Sequence, residues 1–432
     1  MGLDLTAFDA VLKDDYRPVI ISLLNKKTRL LDLFTKNTDV DQSDGRQKVY
    51  PIHTGRNEGV GSVSEGNNVP TAGNEETGQV KVPYKYTYGR IQLTAQTIKA
   101  SKTSKGAFKS AMKLEMNNMV TNLAKLRNRQ LWGHGVGILA RVDGQQTTAT
   151  TVNLKSPLGY TGTVNGCRFL RKNMWIAFIT TGTLTSKTDS DIQCVKKVSS
   201  ISSDGKTVTL TAATGVTLED GDFVVLAPAG GDTTVQSSVN KEPMGLTGIV
   251  DDGTYLGTLH NIARATYDQY NSSVISLNGS FSIDALQRGY DLADEKAGGE
   301  ISHLLAHHSV RREYLKQLQL IKRYTNEMAM KPDGGFKGGG ISTDIEFSEK
   351  PMIAERMAPY GTIFGIDKSD CVRFVNCEGE WADDDGSVLG RVLNVDSYEG
   401  RFRIFENYHN DRPDKCFRID GVTATVDVTP VE

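Results

Sequence analysis

The chain has 432 residues, with 50 Lys plus Arg against 52 Asp plus Glu, so its net charge is close to zero. This length exceeds a single compact core and predicts two or three domains. No run approaches the roughly 18 consecutive apolar residues of a membrane span, and the acidic N-terminus is unlike a secretory signal. We therefore expect neither a membrane protein nor a secreted one.

The charge is unevenly distributed along the chain. Residues 1–140 carry 20 Lys plus Arg against 13 Asp plus Glu, and the remainder carries 30 against 39. Nearly all of the basic excess lies between Lys99 and Arg129, where Glu115 is the only acid. The two parts of the chain are therefore expected to face different surroundings.

Residues 16–34 have apolar groups near helical spacing, with Pro18 suited to a first turn. The polar tract 35–48 that follows offers them no local partner. We therefore expect this amphipathic arm to bury its apolar side chains, which form a stripe along one helix face, against another chain. The stripe consists of Ile20, Leu23, Leu24, Leu30, Leu31 and Phe34.

Residues 45–101 contain two alternating segments, around Lys48 to His53 and around Gln79 to Tyr88, that are typical of strands. The stretch between them is rich in Gly, Asn, Glu and Ser and has almost nothing to bury. It predicts a long hairpin with a mobile tip, which is either functional or ordered by contacts elsewhere.

Residues 104–132 carry the strongest helical pattern, with Ser104 as an N-cap and Gly133 after the last turn. At 100° per residue, the basic side chains flank the apolar face in one stripe. Such a stripe is either a solvated helix face or a sequence-independent surface for a polyanion. Its members are Lys102, Lys105, Lys109, Lys113 and Arg127.

From Val142 to Pro228 the sequence is typical of short strands, and Asp204-Gly205 marks a tight hairpin turn. This spacing predicts a small inserted barrel. Helices are then expected over 282–297 and 308–324, around an apolar strand from Ile301 to Ala306. The end of the chain returns to strands.

No motif in the sequence indicates catalysis. His303 and His307 are four residues apart, but a strand over this segment would hold them too far apart to chelate a metal well. The run Asp383 to Asp385 lacks the remaining features of a calcium loop. Five cysteines without zinc-site spacing predict buried free thiols. We expect no enzymatic activity, no metal and no cofactor.

The order of these segments resembles the major capsid proteins of tailed bacteriophages with the Hong Kong 97-type fold. The likeness covers nearly the whole chain and includes particular strings: PMGLTGIVDDG at 243–253, HNIARATYDQYNSSV at 260–274, ISHLLAHHSVRREYL at 301–315 and EKPMIAERMAPYGTIFGID at 349–367. The fold class implied is α+β, with a small β-barrel inserted.

The resemblance implies a division of the chain into seven segments. These are an N-terminal arm (1–44), an extended E-loop hairpin (45–101), a peripheral domain with its spine helix (102–141), a β-rich insertion (142–235), a return to the peripheral domain (236–277), an axial domain (278–385) and closing peripheral strands (386–432).

The resemblance also implies a function. Pentamers and hexamers of the chain would form an icosahedral shell around double-stranded DNA in the virion, assembled in the cytoplasm of a host bacterium. The partners implied are a portal protein and, in some relatives, a decoration or cement protein. A separate scaffold protein is also implied, unless a leader that precedes the arm has been removed. The lysine stripe would face the DNA, and the E-loop would contact neighbouring subunits through Arg56, Glu58, Glu65, Glu75 and Glu76.

Two alternatives remain open from the sequence. One is an encapsulin-like shell enclosing cargo enzymes, in which a basic inner stripe is less expected. The other is a soluble metal-dependent hydrolase that uses His303, His307 and the residues Asp383 to Asp385.

Overall fold

A computed structural model describes residues 29–38, 45–55, 57–96, 105–160, 164–181, 188–189, 192–227, 238–322, 345–383 and 388–428. This part of the chain mixes helices with a larger number of strands, which is an α+β structure. None of its helices combines the length and the apolar character that crossing a bilayer requires.

The α-helices of the described residues are α1 (Lys105–Trp132), α2 (Leu246–Ile249), α3 (Ile283–Ala297) and α4 (His308–Lys322). The strands up to the end of the hairpin region are β1 (Thr35–Asn37), β2 (Gln47–Gly55), β3 (Glu76–Pro83) and β4 (Lys85–Thr94). Those that follow α1 are β5 (Ile138–Val142), β6 (Gln146–Thr147), β7 (Thr151–Lys155), β8 (Trp175–Ile179), β9 (Thr188–Asp189), β10 (Ile192–Gln193), β11 (Val195–Ile201), β12 (Thr207–Leu210), β13 (Thr217–Leu218) and β14 (Phe223–Leu226). The remainder are β15 (Thr258–Leu259), β16 (Ile262–Ala263), β17 (Ser273–Ser280), β18 (His303–Ala306), β19 (Ile345–Phe347), β20 (Lys350–Ala354), β21 (Ile363–Ile366), β22 (Cys371–Trp381), β23 (Leu389–Arg391), β24 (Ser397–Asn410) and β25 (Phe417–Thr423).

The long helix α1 covers one face of a five-stranded sheet. Its strands run in the order β1-β22-β24-β23, and β4 also pairs with β24. Leu123 of α1 and Phe402 of β24 share a buried cluster. At Gly89 the helix comes so close that a Cβ would lie 2.8 Å from the sulfur of Met119. The predicted helix is confirmed over 105–132, and its apolar residues Met116, Val120 and Leu123 are buried on this sheet.

Six strands close into a barrel in the order β11-β12-β7-β5-β14-β8. Gly205, in the turn between β11 and β12, has a φ of 66° and donates its amide to Ser202 O at 3.0 Å. Arg168 fixes the barrel region to the rest of the chain by stacking on the Tyr360 ring, 4.0 Å from its centroid. The predicted insertion is confirmed, with its first strand beginning at Ile138 rather than Val142.

The second large sheet has six strands in the order β17-β25-β21-β18-β20-β19. α3 packs against β25, and α4 packs against β20. Ser282 caps α3 by accepting a hydrogen bond from the amide of Ala285, and Gly298 ends it in the left-handed conformation. Both predicted helices, and the strand between them, are confirmed to within about two residues.

Three strands pair differently from what the sequence predicts. The predicted boundaries place β22 within 278–385, but it pairs with β24 in the sheet under α1. They place β25 within 386–432 among strands of that same sheet, but it pairs with β17 and β21 in the other sheet. β1 lies in the polar tract 35–48, which is expected only to offer the arm no local partner, and it pairs in parallel with β22. These pairings join segments far apart in sequence, so local patterns do not reveal them.

Candidate interaction surfaces

The strands β2 and β3 form an antiparallel ribbon and pair only with each other in the described part of the chain. Their eight residue pairs span roughly 24 Å at ~3.4 Å per residue. One end of the ribbon joins the body at Tyr84, and the other carries the connecting residues 57–75. The predicted long hairpin is confirmed.

The hairpin tip, residues 57–75, is a narrow loop. Its two limbs approach closely because Gly59 and Gly73 have no side chains: a Cβ on Gly73 would lie 2.8 Å from the Gly59 amide nitrogen. At the apex, Asn67 donates its amide to Ser64 O at 3.1 Å, and Gly66 has a φ of 83°. The tip therefore presents a tight turn rather than an apolar core.

The charged side chains of the hairpin tip are all acidic. Of the predicted contact residues, Glu58, Glu65, Glu75 and Glu76 are exposed, and Arg56 lies outside the described residues. Three valines are exposed on the same loop: Val60, Val63 and Val69. The tip thus combines negative charge with apolar groups that the single chain leaves in water.

Polar contacts fix the root of the hairpin to the body. Tyr50 Oη donates to Asp411 Oδ1 at 3.2 Å, and the Lys81 amide donates to His260 O at 2.9 Å. Alternate residues of β3 are buried in an apolar cluster with Leu259. Only the half of the ribbon nearest the body therefore contributes to a core.

Two histidines lie side by side beneath this root. The rings of His260 and His409 are 5.0 Å apart. His409 Nε2 is 3.1 Å from Tyr270 Oη, and its Nδ1 has no hydrogen-bond partner among the described residues. Burial lowers the pKa of His260 to about 4 and holds the pKa of His409 well below its ordinary value. Both rings are therefore neutral at pH 7.

The end of the predicted arm is buried within its own chain. Leu30, Leu31 and Phe34 share the main core cluster with Trp132 of α1, and the Phe34 ring is 5.2 Å from the ring of Tyr408. The expectation that these three contact another chain is wrong, because α1 and β24 supply the apolar surface they need. The remaining arm residues lie outside the described part of the chain: Ile20, Leu23 and Leu24.

The predicted basic stripe does not form one surface. Lys105, Lys109 and Lys113 lie in the first half of α1, about one turn apart, and Lys102 lies outside the described residues. Arg127, predicted to belong to the same stripe, is only 2% exposed. Its assignment to a DNA-facing surface is wrong, because α1 passes under β24 at this point and a carboxylate there neutralises the guanidinium.

That carboxylate is Glu406, which anchors a buried ionic network. Arg127 donates Nε and Nη2 to its two oxygens at 2.7 Å each, and Arg373 donates Nε at 2.7 Å. Tyr408 Oη donates to it at 2.6 Å. Burial alone would raise the pKa of Glu406, but the charges of Arg127 and Arg373 lower it below its ordinary value. The network joins α1, β22 and β24.

The face of this sheet opposite α1 carries two exposed tyrosines, Tyr86 and Tyr88, beside the partly buried Phe405, and these three are here named the aromatic face. The two tyrosines are 51% and 59% exposed. The Phe405 ring is 4.8 Å from that of Tyr86 and 5.7 Å from that of Tyr88. The alternation Tyr-Thr-Tyr marks β4 in the sequence, but which side of the strand α1 covers is not evident from it.

Two arginines border the aromatic face. Arg90 and Arg401 lie directly opposite each other on β4 and β24. Both bind Glu399, at 2.6 Å and 2.9 Å. Two cations thus share one carboxylate, which leaves a net positive charge beside Tyr88.

The residues considered for a metal site are dispersed. His303 lies on β18, while His307 packs edge-on against Tyr360 at 4.7 Å, and burial lowers the pKa of His307 to about 3. Asp384 and Asp385 lie outside the described residues. Within the described ranges, no three His, Cys, Asp or Glu side chains are grouped to hold a metal ion. All five cysteines are buried free thiols, as predicted.

Comparison with known proteins shows that the chain is similar to other proteins in structure but not in sequence. No protein-family model matches the chain, and no curated protein matches it. A chain of the cyanophage A-1(L) capsid asymmetric unit superposes with a TM-score of 0.54 at 9% identity, over 92% of this chain and 93% of that chain. A Gordonia phage Cozz chain gives 0.40 at 12% identity, over 92% and 86%. A chain from the capsid of a native GTA particle gives 0.43 at 9%, over 92% and 91%.

The fold assignment depends on the cyanophage capsid chain, because its TM-score exceeds one half over nearly the full length of both chains. At 9% identity, this likeness concerns the path of the backbone rather than particular residues. The hairpin, the long helix and the inserted barrel are the parts that the sequence predicts. The chain therefore has the Hong Kong 97-type fold of bacteriophage capsid proteins.

Proposed function

We propose that this chain is the major capsid protein of a tailed bacteriophage, whose copies form the pentamers and hexamers of an icosahedral shell around double-stranded DNA. The observation that carries the proposal is the hairpin, which projects roughly 24 Å and buries only the half nearest the body. Ordering a residue costs ~1–2 kcal/mol. A neighbouring copy laid against the hairpin would supply the contacts that offset this cost.

The proposal extends to the other components of such a particle. It places the protein in the virion, after assembly in the cytoplasm of a host bacterium. It requires a portal protein at one vertex and a scaffold protein, and allows a decoration or cement protein. The role of the chain itself is structural, and the arm residues Ile20, Leu23 and Leu24 are proposed to contact a neighbouring subunit.

Electron microscopy of the purified chain over a range of concentrations tests this function directly. We expect curved or closed shells whose averaged images contain five-membered and six-membered rings of subunits, with matching large species in sedimentation. A monodisperse monomer or small oligomer at every concentration would contradict the proposal, and bound metal in such a species would favour the hydrolase.

The second test concerns the inner surface of the shell. Reversing the charges of Lys105, Lys109 and Lys113 to glutamate should reduce the DNA retained by particles, because cations on the inner surface lower repulsion between packed phosphates. Particle number should change little. The readout is the ratio of nucleic acid to protein in purified particles.

A matched variant provides the control for net charge. It reverses three exposed lysines outside α1: Lys172, Lys206 and Lys316. Equal DNA content in both triple variants and the unmodified shell would show that the lysines of α1 do not face the DNA.

A further inference from the structure

Two of the five cysteines meet at one side-chain amide. We propose that Cys371 and Cys416 form an oxidisable pair, which closes into a disulfide when the chain leaves a reducing compartment and so links the two large sheets covalently. The inference concerns the single chain and goes beyond the proposed function. Only its timing rests on that function, because a capsid assembled in a cytoplasm is later released into oxidising surroundings.

The side chain of Asn410 brings the two sulfurs together. Its Nδ2 is 3.3 Å from Cys371 Sγ and 3.6 Å from Cys416 Sγ. Its Oδ1 accepts the Arg412 amide at 2.8 Å, which orients the group. A disulfide requires two cysteines that approach each other closely, and contact with one common nitrogen atom holds both sulfurs in the same small space.

The backbone brings the two cysteines to this point from different sheets. Cys371 begins β22 and lies opposite Asn410 of β24 in the sheet under α1. Cys416 directly precedes β25, and its carbonyl oxygen accepts the Ser273 amide of β17 in the second large sheet at 3.1 Å. A bond between the sulfurs would join the two sheets. It would also close β22, β23 and β24 into a covalent loop, which restricts the unfolded chain.

Both thiols are shielded in the folded chain. Cys371 is 1% exposed, and Cys416 is wholly buried. Burial raises the pKa of Cys416 to about 12 and holds the pKa of Cys371 well above its ordinary value. Because the thiolate is the reactive form of cysteine, the closed pair reacts slowly. Oxidation therefore requires the surrounding structure to open locally.

The turn 411–415 runs directly from the amide group to the second thiol, and it reaches the surface at Asp411. Lys415 Nζ is 2.8 Å from Asp370 Oδ2, and the Asp411 amide donates to Asp370 O at 2.9 Å. Both contacts hold the turn against the residue that precedes the first thiol. Transient release of this turn is the route by which a small oxidant reaches the pair.

Hydrogen peroxide supplies a balanced oxidation. The thiolate of one cysteine attacks a peroxide oxygen, which breaks the O–O bond, forms a sulfenic acid and releases hydroxide that takes up the thiol proton. The second thiol then attacks the sulfenic sulfur, and its proton leaves with the hydroxyl group as water. Two thiols and one peroxide thus give one disulfide and two waters, with the sulfurs oxidised and the peroxide reduced.

Peptide mapping without reduction identifies which cysteines become linked. The full-length, unassembled chain is treated with hydrogen peroxide, unfolded in the presence of an alkylating reagent and digested with trypsin. Lys or Arg lies between every two successive cysteines, so each cysteine is released in a different peptide. We expect the link between positions 371 and 416 at least about tenfold above any other pairing, and its loss after dithiothreitol treatment.

Two serine variants provide the matched comparison. Cys416→Ser should abolish the link. Cys377→Ser should retain it, because Cys377 lies ~20 Å farther along β22 than Cys371 and donates to Arg403 O at 3.4 Å. Links spread evenly over all five cysteines, links between separate chains, or no link while the chain stays folded by circular dichroism would each overturn the inference.

Loosening the turn tests the route of the oxidant. Lys415→Gln removes the contact with Asp370 and should speed formation of the link about threefold, because less free energy is then needed to open the turn. Lys350→Gln, which removes the contact of Lys350 with Glu300 at 2.6 Å, should leave the rate unchanged. Equal rates in Lys415→Gln and the unmodified chain would refute this route.

These outcomes are distinct from those that test the shell. The link is measured on the unassembled chain, so it does not depend on assembly. A chain that forms shells but never the link would leave the capsid function standing and refute the cysteine pair. A chain that forms the link but no shell would support the pair and contradict the capsid function.

Discussion

Replacing Glu406 by glutamine should lower the free energy of unfolding by about 3–5 kcal/mol, the range for removing one partner of a buried ion pair. Arg127 and Arg373 both direct donors to this carboxylate, and all three side chains are almost wholly buried. The substitution preserves the shape of the side chain but removes its charge. Two buried guanidinium groups would then lose the negative charge they share.

The cost should exceed that of a surface pair because water cannot replace the lost carboxylate. Chemical denaturation of the unassembled chain, followed by the fluorescence of the buried Trp132 and Trp381, measures it. Glu313→Gln is the control, since Glu313 pairs with Lys316 at the surface at 2.7 Å. Its replacement should cost less than about 1 kcal/mol. Similar losses in the two variants would mean that the Glu406 network does not stabilise the fold.

The elements predicted well from the sequence are those whose signals are local. Ser282 and Gly298 bracket α3 with a cap at each end, and Asp204-Gly205 forms the tight turn between β11 and β12. α1 was evident from its apolar spacing alone. In each case neighbouring residues supply the stabilising contacts, so a short window of sequence contains the necessary information.

The errors arise where the stabilising partner is distant in sequence. Leu30, Leu31 and Phe34 lack a local partner, but α1 and β24 cover them after folding. Arg127 has the residue type of a solvated helix face, although its counter-charge, Glu406, is 279 residues away. The sequence pattern therefore predicts a basic stripe that extends too far along α1, because periodicity does not indicate where a polar face of a helix becomes buried.

The interaction surfaces were predicted in part for the same reason. The hairpin follows from composition, since a Gly-rich and Glu-rich stretch between two alternating segments has no core of its own. The aromatic face depends on which side of β4 is covered by α1, and the histidine pair depends on the meeting of β24 with the turn between β15 and β16. Neither juxtaposition is visible in a linear pattern.

Acidification below pH 6.5 should destabilise the chain through its buried histidines, and His409 provides the clearest test. Histidine in an unfolded chain has a pKa near 6.5, while burial lowers the pKa of His260 to about 4 and that of His409 well below its ordinary value. As the pH falls, the histidines are therefore protonated at a higher pH in the unfolded state than in the folded state. The stabilisation is complete above pH ~6.5 and is lost as the pH falls toward the folded-state values.

Between the unfolded-state and folded-state pKa values, each neutral buried histidine makes the free energy of unfolding fall by ~1.4 kcal/mol for each unit of decreasing pH. His134 and His307 contribute as well, since burial lowers their pKa values to about 4 and about 3. His409→Gln should reduce the total slope between pH 6 and pH 5 by ~1.4 kcal/mol per unit. The slope is the diagnostic quantity, because the substitution also changes packing against Tyr270 at every pH.

Denaturation at a series of pH values measures how the free energy of unfolding depends on pH. Hydrogen exchange shows which part of the chain loses its protection in acid. The Lys81 amide, which donates to His260 O, should lose protection in acid earlier in the unmodified chain than in His409→Gln. His53→Gln is the control for the loss of an imidazole ring, because His53 is exposed on the same hairpin rather than buried beneath it. An unchanged slope in His409→Gln would mean that the ring is not a neutral buried group. A reduced slope, together with earlier loss of protection at the Lys81 amide in the unmodified chain, would show that protonation of His409 weakens the contact between the hairpin and the body.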